Sequence, residues 1–292
     1  MFQGSIVAIV TPMSEDGSVD FDALKKLVEF HVSEGTDAIV SVGTTGESAT
    51  LSMEEHSTVI RKTIEFASGN IPIIAGTGAN STTEALELTE NAKAAGAQAC
   101  LLVTPYYNKP PQEGLYRHFR KIAESVDVPQ ILYNVPGRTS VDMSPDTTAR
   151  LAEIDNIIGT KEAHGTVARI KELVAKCPEG FRIFTGDDST AMESILAGAK
   201  GNISVTANVA PALMHQMCQA ALQGDEATAR DIEARLADLN ANLFIESSPI
   251  PAKWALQKMG YIPGGIRLPL VPMSDASVGA VTDALSKAGI SI

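Results

Sequence analysis

The sequence is poor in basic residues, in cysteine and in aromatic side chains, and it has no long hydrophobic run. Lysine and arginine number 23 against 35 acidic residues, a formal charge of −12. With no basic surface to displace counterions, non-specific nucleic-acid binding is excluded. The same balance means that a small anionic substrate needs local help, from an arginine or from backbone N–H groups in a loop. The three cysteines, Cys100, Cys177 and Cys218, are odd in number and far apart. They form no CxxC motif and no disulfide framework, which suits a reducing cytoplasm. The stretch Met1-Phe2-Gln3-Gly4 carries no basic region, and the apolar run behind it extends only from Ile6 to Val10. That is neither a signal peptide nor a membrane span, so a soluble cytoplasmic protein is expected, and the Asn80 and Asn202 sequons carry no meaning there. The histidines, at 31, 56, 118, 164 and 215, are scattered without the spacing of a zinc site, so no metal is expected. His31 reads as core-lining, His118 and His215 as helix-surface residues. There is no Walker loop and no Gly-x-Ser-x-Gly elbow. Gly76-Thr77-Gly78-Ala79-Asn80-Ser81 lacks the third glycine of a dinucleotide loop and reads as a strand-end turn.

What is present is regular alternation. Hydrophobic residues make up 44% and charged residues 20% of the chain, ample material for one large core. Short, continuously apolar runs recur at 5–10, 38–42, 72–75, 99–103, 130–133, 157–160, 182–184 and 202–205. Continuous rather than alternating hydrophobicity suits parallel strands buried on both faces. Between them lie amphipathic stretches, such as Phe21, Leu24, Leu27, Val28, His31 and Val32 at helical spacing with Gly35 closing the helix. Ser144-Pro145 has the form of an N-cap followed by N1. Eight evenly spaced βα units predict a closed (β/α)₈ TIM barrel, and 292 residues fit one undivided. After about residue 211 only helical patterns remain. The expected organisation is therefore a barrel over 1–224 and an additional C-terminal helical layer over 225–292.

In such barrels the active site lies at the C-terminal ends of the strands. Lys161 is the only lysine directly at a strand top, following Ile157-Ile158-Gly159-Thr160. Partial desolvation there would disfavour its ammonium form and make it a nucleophile. A structural lysine paired with a carboxylate such as Glu162 fits the position equally well. Tyr133, one strand earlier, could pass protons to the same point, with Thr44 and Tyr107 as relay partners. Packing and hydrogen bonding are the ordinary roles of such residues. Gly43-Thr44-Thr45-Gly46 can present N–H groups and hydroxyls to a carboxylate, and Arg138 could hold a second one bidentately, although a loop arginine more often ends in a surface ion pair.

Taken together and in order, Gly43-Thr44-Thr45-Gly46-Glu47, Tyr133-Asn134-Val135-Pro136 and Gly159-Thr160-Lys161-Glu162 closely resemble the pyruvate-dependent class I aldolases of the dihydrodipicolinate synthase and N-acetylneuraminate lyase family. The resemblance covers essentially the whole chain. It implies an imine between pyruvate and Lys161 with no added cofactor, and a proton relay of Tyr133, Thr44 and Tyr107, the last reaching across from a neighbouring subunit. Thr45 and Ile203 would contact pyruvate, with Gly186 near the substrate. Arg138, with Thr104-Pro105-Tyr106-Tyr107-Asn108 and the run from Asn202 to Asn208, resembles the members that use L-aspartate 4-semialdehyde as acceptor in the diaminopimelate and lysine pathway. Arg138 would bind its carboxylate. The family further suggests a homotetramer built as a dimer of dimers. Ser48, Ala49, His56, Asn80, Glu84 and Tyr106 match the cleft where some members bind L-lysine as a feedback inhibitor. Met53 stands where sensitive members often carry histidine, so weakened inhibition is expected.

Departures from the family pattern are His164 before Gly165, Thr160 before the lysine, and Ser248 where asparagine is common. Two other readings remain: a lyase for N-acetylneuraminate or a 2-oxo sugar acid, against which Arg138 argues, and a barrel that only binds a small acid. Loss of part of the set Lys161, Tyr133, Thr44, Tyr107 and Arg138 would be expected of the latter.

Overall fold

A computed structural model describes residues 2–292. Eight strands, β1 (Gly4–Ala8), β2 (Ala38–Ser41), β3 (Ile73–Gly76), β4 (Ala99–Val103), β5 (Gln130–Asn134), β6 (Ile157–Glu162), β7 (Arg182–Thr185) and β8 (Gly201–Ser204), close into one barrel in sequence order. Every neighbouring pair is parallel, and β8 returns to β1 with Ile203 opposite Ile6. Helices α1 (Phe21–Ser33), α2 (Met53–Ala67), α3 (Thr82–Ala95), α4 (Gln112–Ser125), α5 (Pro136–Thr139), α6 (Pro145–Leu151), α7 (Val167–Lys176), α8 (Ala191–Leu196) and α9 (Pro211–Leu222) connect the strands or follow the last one. Then come α10 (Glu226–Asn242), α11 (Ile250–Lys258) and α12 (Asp275–Lys287). The fold is the (β/α)₈ barrel with added C-terminal helices that the alternation predicts.

Local chemistry sets the boundaries. Ser52 and Glu55 form a reciprocal capping box at the start of α2. The Ser144 side chain accepts from Thr147 N with Pro145 at N1, as its dipeptide predicts. The sequence pattern does not reveal α5, a single turn whose residues lack any amphipathic period.

Parallel strands buried on both faces produce two cores. Ile6, Ala8, Val40, Ile74, Leu101, Ile131, Tyr133, Phe184 and Ile203 fill the barrel interior. Val7, Ile39, Ile73, Leu102, Leu132 and Ile183 face the helices. The C-terminal layer is continuous with the outer core: α10 packs on α8, α9 and α12, and Leu236, Leu239, Ala252, Leu256 and Leu285 belong to that cluster.

The histidine expectations divide. His31 is fully buried, as its helical stripe implies, with Nδ1 on Thr36 Oγ1 at 2.9 Å. His118 is not on the surface: it is buried beside Phe119, with Nδ1 2.9 Å from Thr82 Oγ1. The face of α4 that holds Leu115, Phe119 and Ile122 continues through it, because a neutral imidazole with one partner is tolerated in a core. His215 is half-buried and paired with Asp37.

Candidate active site

Strand parity decides what the barrel top can do. On β5, Ile131 and Tyr133 point inward. Between β5 and β6 the register shifts: Gln130 faces Ile157, but Ile131 faces Gly159, so Ile158 is an extra residue. That one residue matters, because a single-step slip inverts every side chain beyond it. With it, Lys161 stands opposite Tyr133 inside the barrel and Glu162 stands opposite Asn134 outside. Without it, Lys161 would face the helices.

Glu162 is accordingly not the partner of Lys161. It is buried on the outer side, accepting from Asn134 Nδ2 at 2.9 Å, with Arg169 Nη1 at 3.6 Å. The Lys161 ammonium nitrogen lies 4.3 Å from the centre of the Tyr133 ring. Lys161 is only 5% exposed. Burial pushes its pKa down to about 8, against the pull of Asp188 and Asp187 and with a push from Arg138. At neutral pH about a tenth of such an amine is free base, against about one part in three thousand for an ordinary lysine.

Tyr133 is buried, and burial pushes its phenol up to about 12, with Arg138 and the approaching Thr44 hydroxyl drawing it back. Thr44 belongs to a tight turn, Gly43–Glu47, that follows Val42 at φ +57°, a left-handed conformation unusual for a β-branched residue. Gly76 makes room for that turn, since a Cβ there would lie 2.2 Å from the Val42 carbonyl oxygen. Thr45 is buried beside it, and Ile203 is fully buried inside the barrel. Gly186 leaves the space that Lys161 occupies: a Cβ on it would lie 2.7 Å from Lys161 Cε and 2.8 Å from Ala163 Cβ.

Arg138 is exposed on α5, at the mouth, close enough to weigh on both Tyr133 and Lys161. It makes no surface ion pair among the described residues; its Nη2 donates to the Ser248 carbonyl at 3.2 Å. Position 248 thus acts through its backbone. Tyr107 is 91% exposed and at φ +73°.

A buried amine over a phenol, with hydroxyls and an arginine at the rim, is equipped to attack the carbonyl of a small oxo acid. The chain's similarities agree. A model of the dihydrodipicolinate synthetase family matches residues 1–288. The chain belongs to that family. Relatives named 4-hydroxy-tetrahydrodipicolinate synthase include one from Thioalkalivibrio sulfidiphilus, 62% identical over 292 residues with 100% of this chain and 99% of the relative covered. Another from Methylococcus capsulatus is 61% identical over 290 residues, covering 99% and 100%. A crystal structure of the chloride-inhibited dihydrodipicolinate synthase from Acinetobacter baumannii, complexed with pyruvate, has 57% identity and a TM-score of 0.98, covering 100% of both chains.

In this member of the dihydrodipicolinate synthetase family, the residues expected to line a lysine cleft lie in the loops after β2, β3 and β4 and on α2 and α3. Asn80 Nδ2 donates to the Tyr106 carbonyl at 3.2 Å, and Asn108 Nδ2 returns to the Asn80 carbonyl at 2.9 Å. Burial, then the charge of Glu84, raises the Tyr106 pKa. Ser48 and Ala49 form a short turn before α2, half-buried and exposed respectively, while His56 is buried beneath with its pKa pushed down to about 4. Met53 is exposed.

Sequence reasoning missed Asp188. It is buried, accepting from Asn202 Nδ2 at 2.7 Å, Val205 N at 3.0 Å and Thr206 N at 2.9 Å, and it tethers the top of β8. The Asp187-Asp188 pair at the strand-seven top was the available signal. Among the described residues no group of three or more His, Cys, Asp or Glu could hold a metal ion, and no helix is long and apolar enough to cross a membrane.

Proposed function

We propose that this enzyme condenses pyruvate with L-aspartate 4-semialdehyde to give 4-hydroxy-tetrahydrodipicolinate, in the lysine and diaminopimelate pathway and in the cytoplasm. The observation that carries this is Lys161, buried inside the barrel with its amine over the Tyr133 ring. The free amine adds to the pyruvate carbonyl, and water leaves as the imine forms. The protonated imine is an electron sink, so a methyl proton departs and an enamine results. The enamine carbon attacks the semialdehyde, whose aldehyde oxygen becomes the product hydroxyl. The acceptor's own amine then displaces Lys161 by transimination and closes the ring. Lys161 supplies the covalent chemistry, and no added cofactor takes part.

Tyr133 and Thr44 move the protons, Thr45 and Ile203 contact pyruvate, and Gly186 gives the imine room. Arg138 receives the acceptor's carboxylate, which favours this acceptor over a polyol; a cleavage assay with N-acetylneuraminate separates the two readings. Tyr107 completes the relay from a neighbouring subunit. Its exposure and left-handed backbone support that role, since an aromatic side chain held out to solvent on a strained backbone is suited to a partner. The assembly is a homotetramer, a dimer of dimers. Within each chain the unit 1–224 carries the site and 225–292 braces it.

L-Lysine binds at Ser48, Ala49, His56, Asn80, Glu84 and Tyr106, and the exposed thioether of Met53 weakens its grip. A lysine titration of the rate checks this, and submicromolar inhibition would contradict it. The deciding experiment on the reaction is borohydride reduction with pyruvate, followed by peptide mapping. An adduct on Lys161 is expected; an adduct on another lysine, or none, refutes the assignment.

A further inference from the structure

We propose that the buried pair Glu47–Lys253 is a positioning device that holds the turn Gly43–Glu47, and with it Thr44 and Thr45, in catalytic register. The proposal rests on the reading of those threonines given above. The turn is internally closed by Gly46 N to Gly43 O at 3.0 Å and Glu47 N to Thr44 O at 3.1 Å. Two non-glycine residues in the left-handed region bracket it, Val42 at φ +57° and Glu47 at φ +58°. Such a backbone persists only where its surroundings over-determine it. Thr11 Oγ1 supplies one restraint, donating to Gly46 O at 2.6 Å. The other comes from the C-terminal layer. Lys253, on α11, donates to Glu47 Oε1, and Arg267 N donates to Glu47 Oε2 at 3.3 Å.

Both ends of the pair are almost completely removed from water, Glu47 4% and Lys253 5% exposed. Desolvation makes a buried ion pair a poor stabiliser compared with apolar groups of similar volume. What it offers instead is direction, since a charge-assisted hydrogen bond fixes where the carboxylate, and the backbone carrying it, must stand. Arg267 extends the tie to the far side of the turn. It donates through Nε to Gly17 O at 2.8 Å and through Nη1 to Thr50 O at 2.7 Å and Glu55 Oε2 at 2.9 Å. The layer beyond the barrel thus reaches the site through one side chain of the catalytic turn.

Two variants of the full chain test this, each with melting temperature, kcat and KM measured and activity normalised to trapped adduct on Lys161. The double variant Glu47→Gln/Lys253→Met removes both charges at nearly constant volume. It should melt within a few degrees of the parent, yet lose about tenfold to a hundredfold in kcat and raise KM for pyruvate, because sub-ångström errors in placement are costly to catalysis. Glu47→Asp keeps both charges and a residue tolerant of positive φ but shortens the tie by one methylene, and should show the same kcat loss with a small change in melting. Parental kcat per trapped site in Glu47→Asp, or in a double variant that folds, would overturn the proposal. Failure of the parent itself to form the Lys161 adduct would overturn it together with the catalytic reading beneath it.

Discussion

The basicity of Lys161 is set by where it stands in the barrel. Burial is the largest influence on its pKa, and the nearby Asp188 and Asp187 keep the value from falling further. Because only the free amine adds to a carbonyl, the initial rate of pyruvate trapping should rise with pH around a midpoint near about 8. Trapping with cyanoborohydride across a pH series measures it; a midpoint above 10 would mean an ordinary, solvated lysine. Gly186 gives a second expectation. Its missing Cβ is occupied space, 2.7 Å from Lys161 Cε. Gly186→Ala must therefore push the reacting side chain aside, lowering kcat by about a hundredfold while circular dichroism and melting stay near the parent. Much of this site is legible in the sequence, because Lys161, Tyr133, Thr44, Arg138 and Gly186 all follow apolar runs and so fall on one barrel end. What is not legible is contact made through the backbone or across the fold. The Ser248 carbonyl that receives Arg138, and the N–H groups that hold Asp188, leave no residue-type signature.

The elements were legible wherever hydrophobic periodicity sets them, and the strand runs lie within one or two residues of the observed strands. Parity within a strand is another matter. From sequence, Glu162 was an eligible partner for Lys161; as consecutive strand residues the two point to opposite faces, and the extra residue Ile158 in β6 decides that Lys161 is the one inside. No local propensity announces that shift, since it depends on how β5 and β6 align. The same shift leaves a carboxyl buried between β6 and α7. Glu162 is pushed up to about 7 by burial, with Arg169 and Asn134 drawing it down. A carboxyl whose folded pKa lies above its ordinary value of 4.5 holds its proton in the fold after the unfolded chain has released it. Its contribution to stability is therefore fully present below pH 4.5 and is lost as pH rises towards 7. Glu162→Gln has no proton to lose. Whatever its fixed offset, its melting temperature relative to the parent should climb between pH 4.5 and 7 and then level, as a buffered thermal-melt series would record. A difference independent of pH would show that Glu162 titrates alike in the folded and unfolded chain, and that burial does not hold its proton.

At the scale of the whole molecule, one barrel supplies the amine, the phenol and the rim, while Tyr107 stands exposed. Tyr107 is 91% exposed, on a segment where Lys109 is also left-handed. A single sequence says little about assembly, since an interface residue and a surface residue differ in what lies opposite them, not in type. Genetic complementation reads it directly. Tyr107→Phe alone should cost about a hundredfold or more in rate by breaking the relay, and Lys161→Arg alone should abolish the imine. If Tyr107 acts in trans, a dimer of one chain of each kind contains one site with both groups intact and one with neither. Random pairing on co-expression makes half the dimers mixed, so about a quarter of all sites are restored and the preparation should recover about a quarter of parental activity. If Tyr107 serves its own chain, every site in every dimer carries one defect. The mixture would then show no more activity than the average of the two single variants.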